Sequence, residues 1–311
     1  MKNKLIKICN VYNLGELELF TKEHSSQNNV YKVITIKGTF IIKEFTKDAI
    51  SNYYYLTKRK KQIKIAEKLN KNNISCLIPK KIHKRYFFLF KEHYYLVYDY
   101  SKSKILSNEE YTDEHIKSLA ITQSKIHKLN IKVELPCHYK KVNIDFNKIL
   151  KLKNKELIEL IINNKDKLED LINTCNSNIK EMKQNLCISH NDYKVLNILW
   201  DGLNPTLIDF DASGLANPTC CLSESAFTFS KNNNEINYDK YKVYLTSYLN
   251  DFGQIKEDYK KALYVSMSGK LQWYSYLISK KNYEGIISMT KELILFYENI
   301  EKFYEIYKSI V

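Results

Sequence analysis

Arginine is nearly absent from this chain. Lys plus Arg is 49, yet Arg59 and Arg85 are the only arginines. Nucleic-acid faces favour the arginine fork for bidentate contacts to bases and phosphates. The net charge of +14 therefore reads as lysine-rich composition, and nucleic acid is not an expected partner. Glycine (7) and proline (4) are scarce, which excludes collagen-like and Pro/Gly-rich disordered classes. No stretch approaches the ~18 apolar residues of a membrane span, so no membrane association is expected. The N-terminal MKNKLIKICNVYNLGELELF lacks the apolar run of a signal peptide. The seven cysteines, Cys9, Cys76, Cys137, Cys175, Cys187, Cys220 and Cys221, are odd in number and contain no CxxC. That excludes a disulfide framework and a zinc ribbon, and suits reduced thiols in the cytoplasm.

What is present is enough apolar sequence, 44% of 311 residues, for one large domain or two lobes. Over residues 28–46, VYKVITI alternates with period two, Lys37-Gly38 forms a turn, and TFIIKEF returns as a second strand. A helix is expected over about 49–73, with Leu56, Ile63, Ala66 and Leu69 on one face. Strands follow around 84–90 and 93–100. Beyond residue 108 the pattern is helical, first over 113–130, then in two or more charged helices over 145–184. Strand-like pieces at 197–200 and 206–209 interrupt it before a tyrosine-rich helical tail from 238 to 311. The fold class is α+β: a small antiparallel β-rich lobe with one helix, residues 1–100, then a larger, mostly helical lobe, residues 101–311. Asp99–Ser107 is the connector.

The chemistry concentrates in residues 190–211. His190, Asp192 and Asn197 stand as H-x-D-x4-N, and Asp209 follows in Asp-Phe-Asp. Phosphoryl transfer asks for a carboxylate near the acceptor hydroxyl and for metal ions that neutralise phosphate charge. Mg²⁺ takes oxygen ligands, one or two from the protein and the rest from phosphates and water. Asn197 offers a neutral oxygen, Asp209 an anionic one, and Asp192 a carboxylate five residues before Asn197. Any one of these residues alone reads as a loop or cap residue; the ordered combination does not.

HNDYKVLNILW resembles the catalytic motif of the aminoglycoside phosphotransferase and choline kinase branch of the protein-kinase-like superfamily, usually H-G-D-x4-N-x-L. LIDFDASGLANP resembles the metal segment of that family, and ITQSKIHKLNI, with His127, its L-x-x-[IL]-H-x-L helix. The resemblance spans roughly 25–230 and implies a two-lobe, protein-kinase-like fold. By that resemblance Asp192 is the catalytic aspartate, His190 braces its loop, and Lys194 reaches the γ-phosphate. Asn197 and Asp209 hold Mg²⁺, and Asp211 lies near a second metal or the acceptor. Lys43, at the end of the second hairpin strand, is the phosphate-binding lysine. The Asp99 carbonyl and the Ser101 amide contact the adenine of ATP or the base of GTP.

Two departures stand out. The loop before the hairpin, HSSQNN, lacks the glycines of a phosphate loop. Ser25 and Ser26 are candidate donors there, and Asn28 and Asn29 tolerate positive φ. The helix position that normally pairs a glutamate with the lysine falls on Gln62, with Glu67 as the alternative.

No A-P-E follows the D-F-D, and no long activation segment fits before the next helix. The expected partners are thus a nucleoside triphosphate and a small-molecule hydroxyl acceptor. Glu224, Asp251, Glu257, Asp258 and Glu284 are the acids that an aminoglycoside requires; Trp273, Tyr274 and Tyr276 offer the cage that choline requires. An aminoglycoside-type antibiotic is the first expectation. Choline, ethanolamine or another metabolite is the second, and a spore-coat-associated kinase-like role the third. A nucleotide-binding pseudokinase scaffold is the non-enzymatic alternative.

Overall fold

The computed structural model describes residues 1–23, 28–47, 50–129, 131–152 and 154–311. Ser25 and Ser26 lie outside them. The chain divides into two compact units: Met1–Lys104 with Thr206–Asp211, and Ile105–Pro205 with Ala212–Val311.

The first unit opens on helix α1 (Lys2–Val11). Strands β1 (Leu17–Glu23), β2 (Asn29–Thr35) and β3 (Gly38–Glu44), helix α2 (Tyr53–Lys71), and strands β4 (Phe88–Phe90) and β5 (His93–Asp99) follow. The five strands form one antiparallel sheet in the order β1-β2-β3-β5-β4. Helix α1 and strand β1 are elements that the sequence pattern does not announce. The alternation of β2 and β3 sends Tyr31, Val33, Phe40 and Ile42 into one core with Leu5, Ile8 and Cys9 of α1. The opposite face carries Phe45 and Leu96, packed with Leu56 and Ile63 of α2. Lys43 pairs with Leu96 across the ladder, so it projects on the α2 face.

The hairpin turn is Ile36-Lys37 rather than Lys37-Gly38, because Thr35 pairs with Gly38. The Lys37 amide donates to Thr35 Oγ1, and Gly38 takes φ +140°, which a side chain rarely adopts. Asn29 is an extended residue of β2 opposite Glu44, so it does not supply a positive-φ loop position. Asn52 caps α2 by accepting from the Tyr54 and Tyr55 amides, which moves the helix start to Tyr53. The segment 206–211 is tied into this unit: the Leu207 amide donates to the Ser75 carbonyl, and the Leu77 amide to the Leu207 carbonyl.

The second unit contains α3 (Asp113–Lys128), α4 (Phe146–Leu150), α5 (Lys155–Met182), β6 (Cys187–Ser189) and β7 (Ile198–Asp201). Strand β8 (Asn204–Leu207) leads out of it. It resumes with β9 (Gly214–Ala216), α6 (Pro218–Ser230), a hairpin of β10 (Lys231–Asn232) and β11 (Glu235–Ile236), and helices α7 (Tyr238–Phe252), α8 (Tyr259–Ser266), α9 (Ser268–Ser279) and α10 (Tyr283–Lys308). Its core is aromatic. Tyr241 stacks on Phe303 with centroids 4.3 Å apart, and Phe227 meets Phe296 at 5.0 Å. The buried tyrosine hydroxyls are satisfied: Tyr244 donates to Gln123 (2.9 Å), and Tyr241 and Tyr259 bond each other (2.7 Å). Among the described residues no helix is long and apolar enough to cross a membrane.

Candidate active site

In the first unit the Lys43 ammonium is 2.8 Å from Asp209 Oδ1 and 2.8 Å from Asp211 Oδ2. Burial alone would lower the Lys43 pKa; Asp211 and Asp209 outweigh it and hold the ammonium above its ordinary value. Asp209 has φ +59°, an unusual conformation for a residue with a side chain. Arg59 of α2 lies 3.7 Å from Asp211 Oδ1 and also donates to the Asp211 backbone carbonyl. Gln62, 1% exposed, donates to the same carbonyl at 2.7 Å and accepts from Arg59 at 3.1 Å. Of the two expected partners for Lys43, Gln62 therefore faces this cluster through Asp211. Glu67 lies instead 2.9 Å from Lys81. The Asp99 carboxylate binds Lys80, the Tyr100 amide donates to the Thr39 carbonyl, and Ser101 Oγ accepts from the Ser103 amide.

In the second unit β6 delivers the buried His190, then Asn191 in the left-handed region at φ +57°. Asp192 follows. Asn197 Nδ2 donates to Asp192 Oδ2 at 2.7 Å and to its carbonyl at 2.8 Å. Lys194 Nζ is 2.9 Å from Asp192 Oδ1. The Tyr193 hydroxyl donates to the Leu119 carbonyl and ties this loop to α3. Behind it, His127 is hydrogen-bonded to the Tyr248 hydroxyl (2.7 Å) and contacts Ser189 Oγ (3.4 Å). Burial pushes its pKa down to about 3, so it stays a neutral brace at physiological pH.

The Asn197 amide nitrogen is committed to Asp192, and the Asp209 carboxylate to Lys43. Among the described residues no group of three or more His, Cys, Asp or Glu forms a protein-only metal site.

The expected acceptor acids separate. Asp251 binds Ser124 and Lys128. Glu257 binds Asn185, Asn217 and Thr219. Asp258 caps α8, and Glu284 lies in the first turn of α10. Glu224, on α6, differs: burial pushes its carboxyl up to about 7, with Lys270 opposing the shift and Asp192 and Glu292 adding to it. Lys270 is 2.9 Å from Glu292, which also binds Lys231 at 3.1 Å. The aromatic trio separates too. Tyr274 is buried and bonded to Thr290, whereas Trp273 and Tyr276 stack on each other at 5.0 Å. Sequence reasoning missed Arg59, Lys270 and Glu292. Arg59 carried one signal, its rarity.

The sequence profile of the phosphotransferase enzyme family matches residues 21–228. No curated protein matched the chain. Among solved structures, spectinomycin phosphotransferase in complex with ADP and spectinomycin superposes with a TM-score of 0.69 at 13% identity, covering 98% of each chain. Choline kinase from Cryptosporidium parvum Iowa II gives 0.59 at 16% identity, covering 100% of this chain and 98% of that one. A microcompartment-associated aminopropanol kinase gives 0.64 at 10% identity, covering 98% of each. At these identities the likeness is one of fold, protein-kinase-like throughout. The match over residues 21–228 takes in Lys43, the Asp192 loop and the Asp209 segment, and the chain belongs to the phosphotransferase enzyme family.

Proposed function

We propose that this protein is a small-molecule kinase that transfers the γ-phosphate of ATP or GTP to a hydroxyl of an amine-bearing acceptor of the aminoglycoside type. The observation that carries the reading is the Asp192 carboxylate. It is fixed by Asn197 at 2.7 Å and Lys194 at 2.9 Å, and it lies within the family match. Asp192 orients the acceptor hydroxyl and takes its proton. The acceptor oxygen then bonds to the γ-phosphorus, the bond to the β-phosphate oxygen breaks, and the nucleoside diphosphate leaves. Lys43 holds the α- and β-phosphates, Lys194 faces the γ-phosphate, and His190 braces the loop. Asn197 and Asp209 are the residues that would hold Mg²⁺, which when bound neutralises phosphate charge. Backbone groups of Asp99 and Ser101 take the base. The lobe of residues 1–100 serves the nucleotide and that of residues 101–311 the acceptor. All seven cysteines are free, which suits a cytoplasmic enzyme.

Glu224 supports an amine on the acceptor, because a cation placed beside a carboxyl raised to about 7 draws it into its charged form. The alternative acceptor, choline or ethanolamine, rests on the stacked Trp273 and Tyr276 pair, with Tyr276 44% exposed. A turnover assay with Mg²⁺, ATP or GTP and a panel of aminoglycosides, choline, ethanolamine and sugars tests the proposal. Acceptor-dependent nucleoside diphosphate release is expected with an aminoglycoside and absent in Asp192→Asn. Turnover with choline alone moves the reading to the alternative. Nucleotide binding without turnover on any acceptor favours a scaffold.

A further inference from the structure

We infer that Arg59 is a positioning residue for Lys43, acting through Asp211. Asp211 thereby takes the place of the helix carboxylate that usually orients the phosphate-binding lysine. The inference rests on the reading of Lys43 given above and goes beyond it.

Helix α2 contains a single acid, Glu67, and that acid is paired with Lys81 at 2.9 Å. The carboxylates against Lys43 come instead from the D-F-D segment, Asp209 and Asp211, each at 2.8 Å. What α2 contributes is the support of Asp211. Arg59 and Gln62 stand three residues apart, hence on one face of the helix. Both donate to the Asp211 backbone carbonyl. The guanidinium also lies 3.7 Å from Asp211 Oδ1, while Oδ2 of the same carboxylate bonds Lys43. Asp211 is thus clamped at its carbonyl and at one carboxylate oxygen, with the other aimed at the lysine.

The chemistry of the clamp calls for arginine. One guanidinium nitrogen, Nη1, bonds the Asp211 carbonyl and Gln62 Oε1 and faces Asp211 Oδ1, and the flat, weakly hydrated guanidinium suits this buried place against an aromatic ring better than a strongly hydrated ammonium on a flexible stem. In a chain with 49 basic residues and two arginines, one of the two occupies this place. The Arg59 side chain is 13% exposed and lies over the Phe45 ring, 5.9 Å from its centroid, with Lys43 over the same ring at 5.3 Å. Two cations and two carboxylates then balance. Both carboxylates face Lys43, and Asp211 is held by Arg59 as well.

The test compares Arg59→Met, Arg59→Lys, Asp211→Asn, Lys43→Met and the double variant Arg59→Met/Asp211→Asn in the full chain. The readouts are the Kd for ATP in the presence and absence of Mg²⁺, thermal unfolding, and the separate KM values for ATP and acceptor. Arg59→Met is expected to raise the ATP Kd and KM about tenfold, with the acceptor KM within twofold of wild type. Arg59→Lys should recover little of this. The double variant should be no worse than Asp211→Asn alone, because both act on one contact. If Arg59→Met fails to fold, Arg59→Lys carries the same comparison. Lys43→Met weakening ATP binding while every folded Arg59 variant leaves it within twofold overturns this inference alone. Lys43→Met leaving ATP binding unchanged overturns it together with the reading of Lys43.

Discussion

Two charge clusters, one in each unit, are built on opposite accounts. In the first, Lys43 and Arg59 face Asp209 and Asp211, two cations against two carboxylates. In the second, Lys270 and Lys231 converge on one carboxylate, Glu292, while burial, Asp192 and Glu292 outweigh the charges of Lys270 and Lys194 at Glu224. Both clusters are buried enough for desolvation to matter, so counting partners decides which group titrates. Lys43 stays charged. Glu292 is driven by burial upward and by Lys270 and Lys231 further downward, settling at about 2. Glu224, without such contacts, is left at about 7. Fixed charges suit the cradling of phosphates; a carboxyl poised near neutrality suits a ligand that brings its own positive charge.

The strongest way to sharpen the comparison is to remove a carboxylate assigned to react rather than to balance. Asp192→Asn keeps the size of the side chain and removes the carboxylate proposed to accept the proton. Turnover should fall by about 10³, the middle of the range for a general base, with the ATP Kd within threefold of wild type. A tenfold or smaller loss in steady-state turnover would remove Asp192 from the proton transfer. The next effect is on stability. Glu292→Gln strands Lys270, whose side chain is 18% exposed, and breaking a buried pair from one side costs about 3 kcal/mol or more. Urea unfolding should show that loss, and Lys270→Met in the same background should return part of it. The sign with pH is fixed by the lowered pKa: the contribution of Glu292 is complete above the ordinary value of 4.5 and is lost as pH falls towards about 2. Equal stability of Glu292→Gln and wild type at pH 7 would refute the pairing.

The same contrast explains what the sequence made legible. Chemistry demands spacing, so H-x-D-x4-N and D-F-D could be read directly, and period two placed β2 and β3 because each strand has a buried face. Helix α1 escaped because three buried residues, Leu5, Ile8 and Cys9, sit among lysines in ten residues, too short a stretch for a firm periodicity. Strand β1 escaped because it is an edge strand, mostly exposed beyond Leu17. The contact of Arg59 with Asp211 joins residues 152 apart in the chain, beyond any local pattern. Of the five acids and three aromatics expected at the acceptor, Asp251, Glu257 and Asp258 support local structure and Tyr274 fills the core. Residue type alone does not distinguish a carboxylate that serves a hydrogen-bond network from one held in reserve.

Glu224 is the reserve, and Glu224→Gln tests it with the smallest effect of the three. Its pKa is raised from 4.5 to about 7, so its protonated form favours folding below about pH 4.5, and that stability is lost as pH rises through about 7. Glutamine removes the loss. The variant should therefore match wild type near pH 4.5 and exceed it at pH 8 by about 1–2 kcal/mol, a figure reduced from the full shift because solvent still reaches the side chain. That is a gain of a few degrees in Tm. The KM of an amine acceptor should move the other way, rising about tenfold at pH 8 and much less at pH 6, where the wild-type carboxyl is mostly neutral already. A stability gain without a change in KM would leave Glu224 a strained core acid and take the amine out of the acceptor. A KM change with no pH dependence in stability would mean that its carboxyl is already charged before the acceptor arrives.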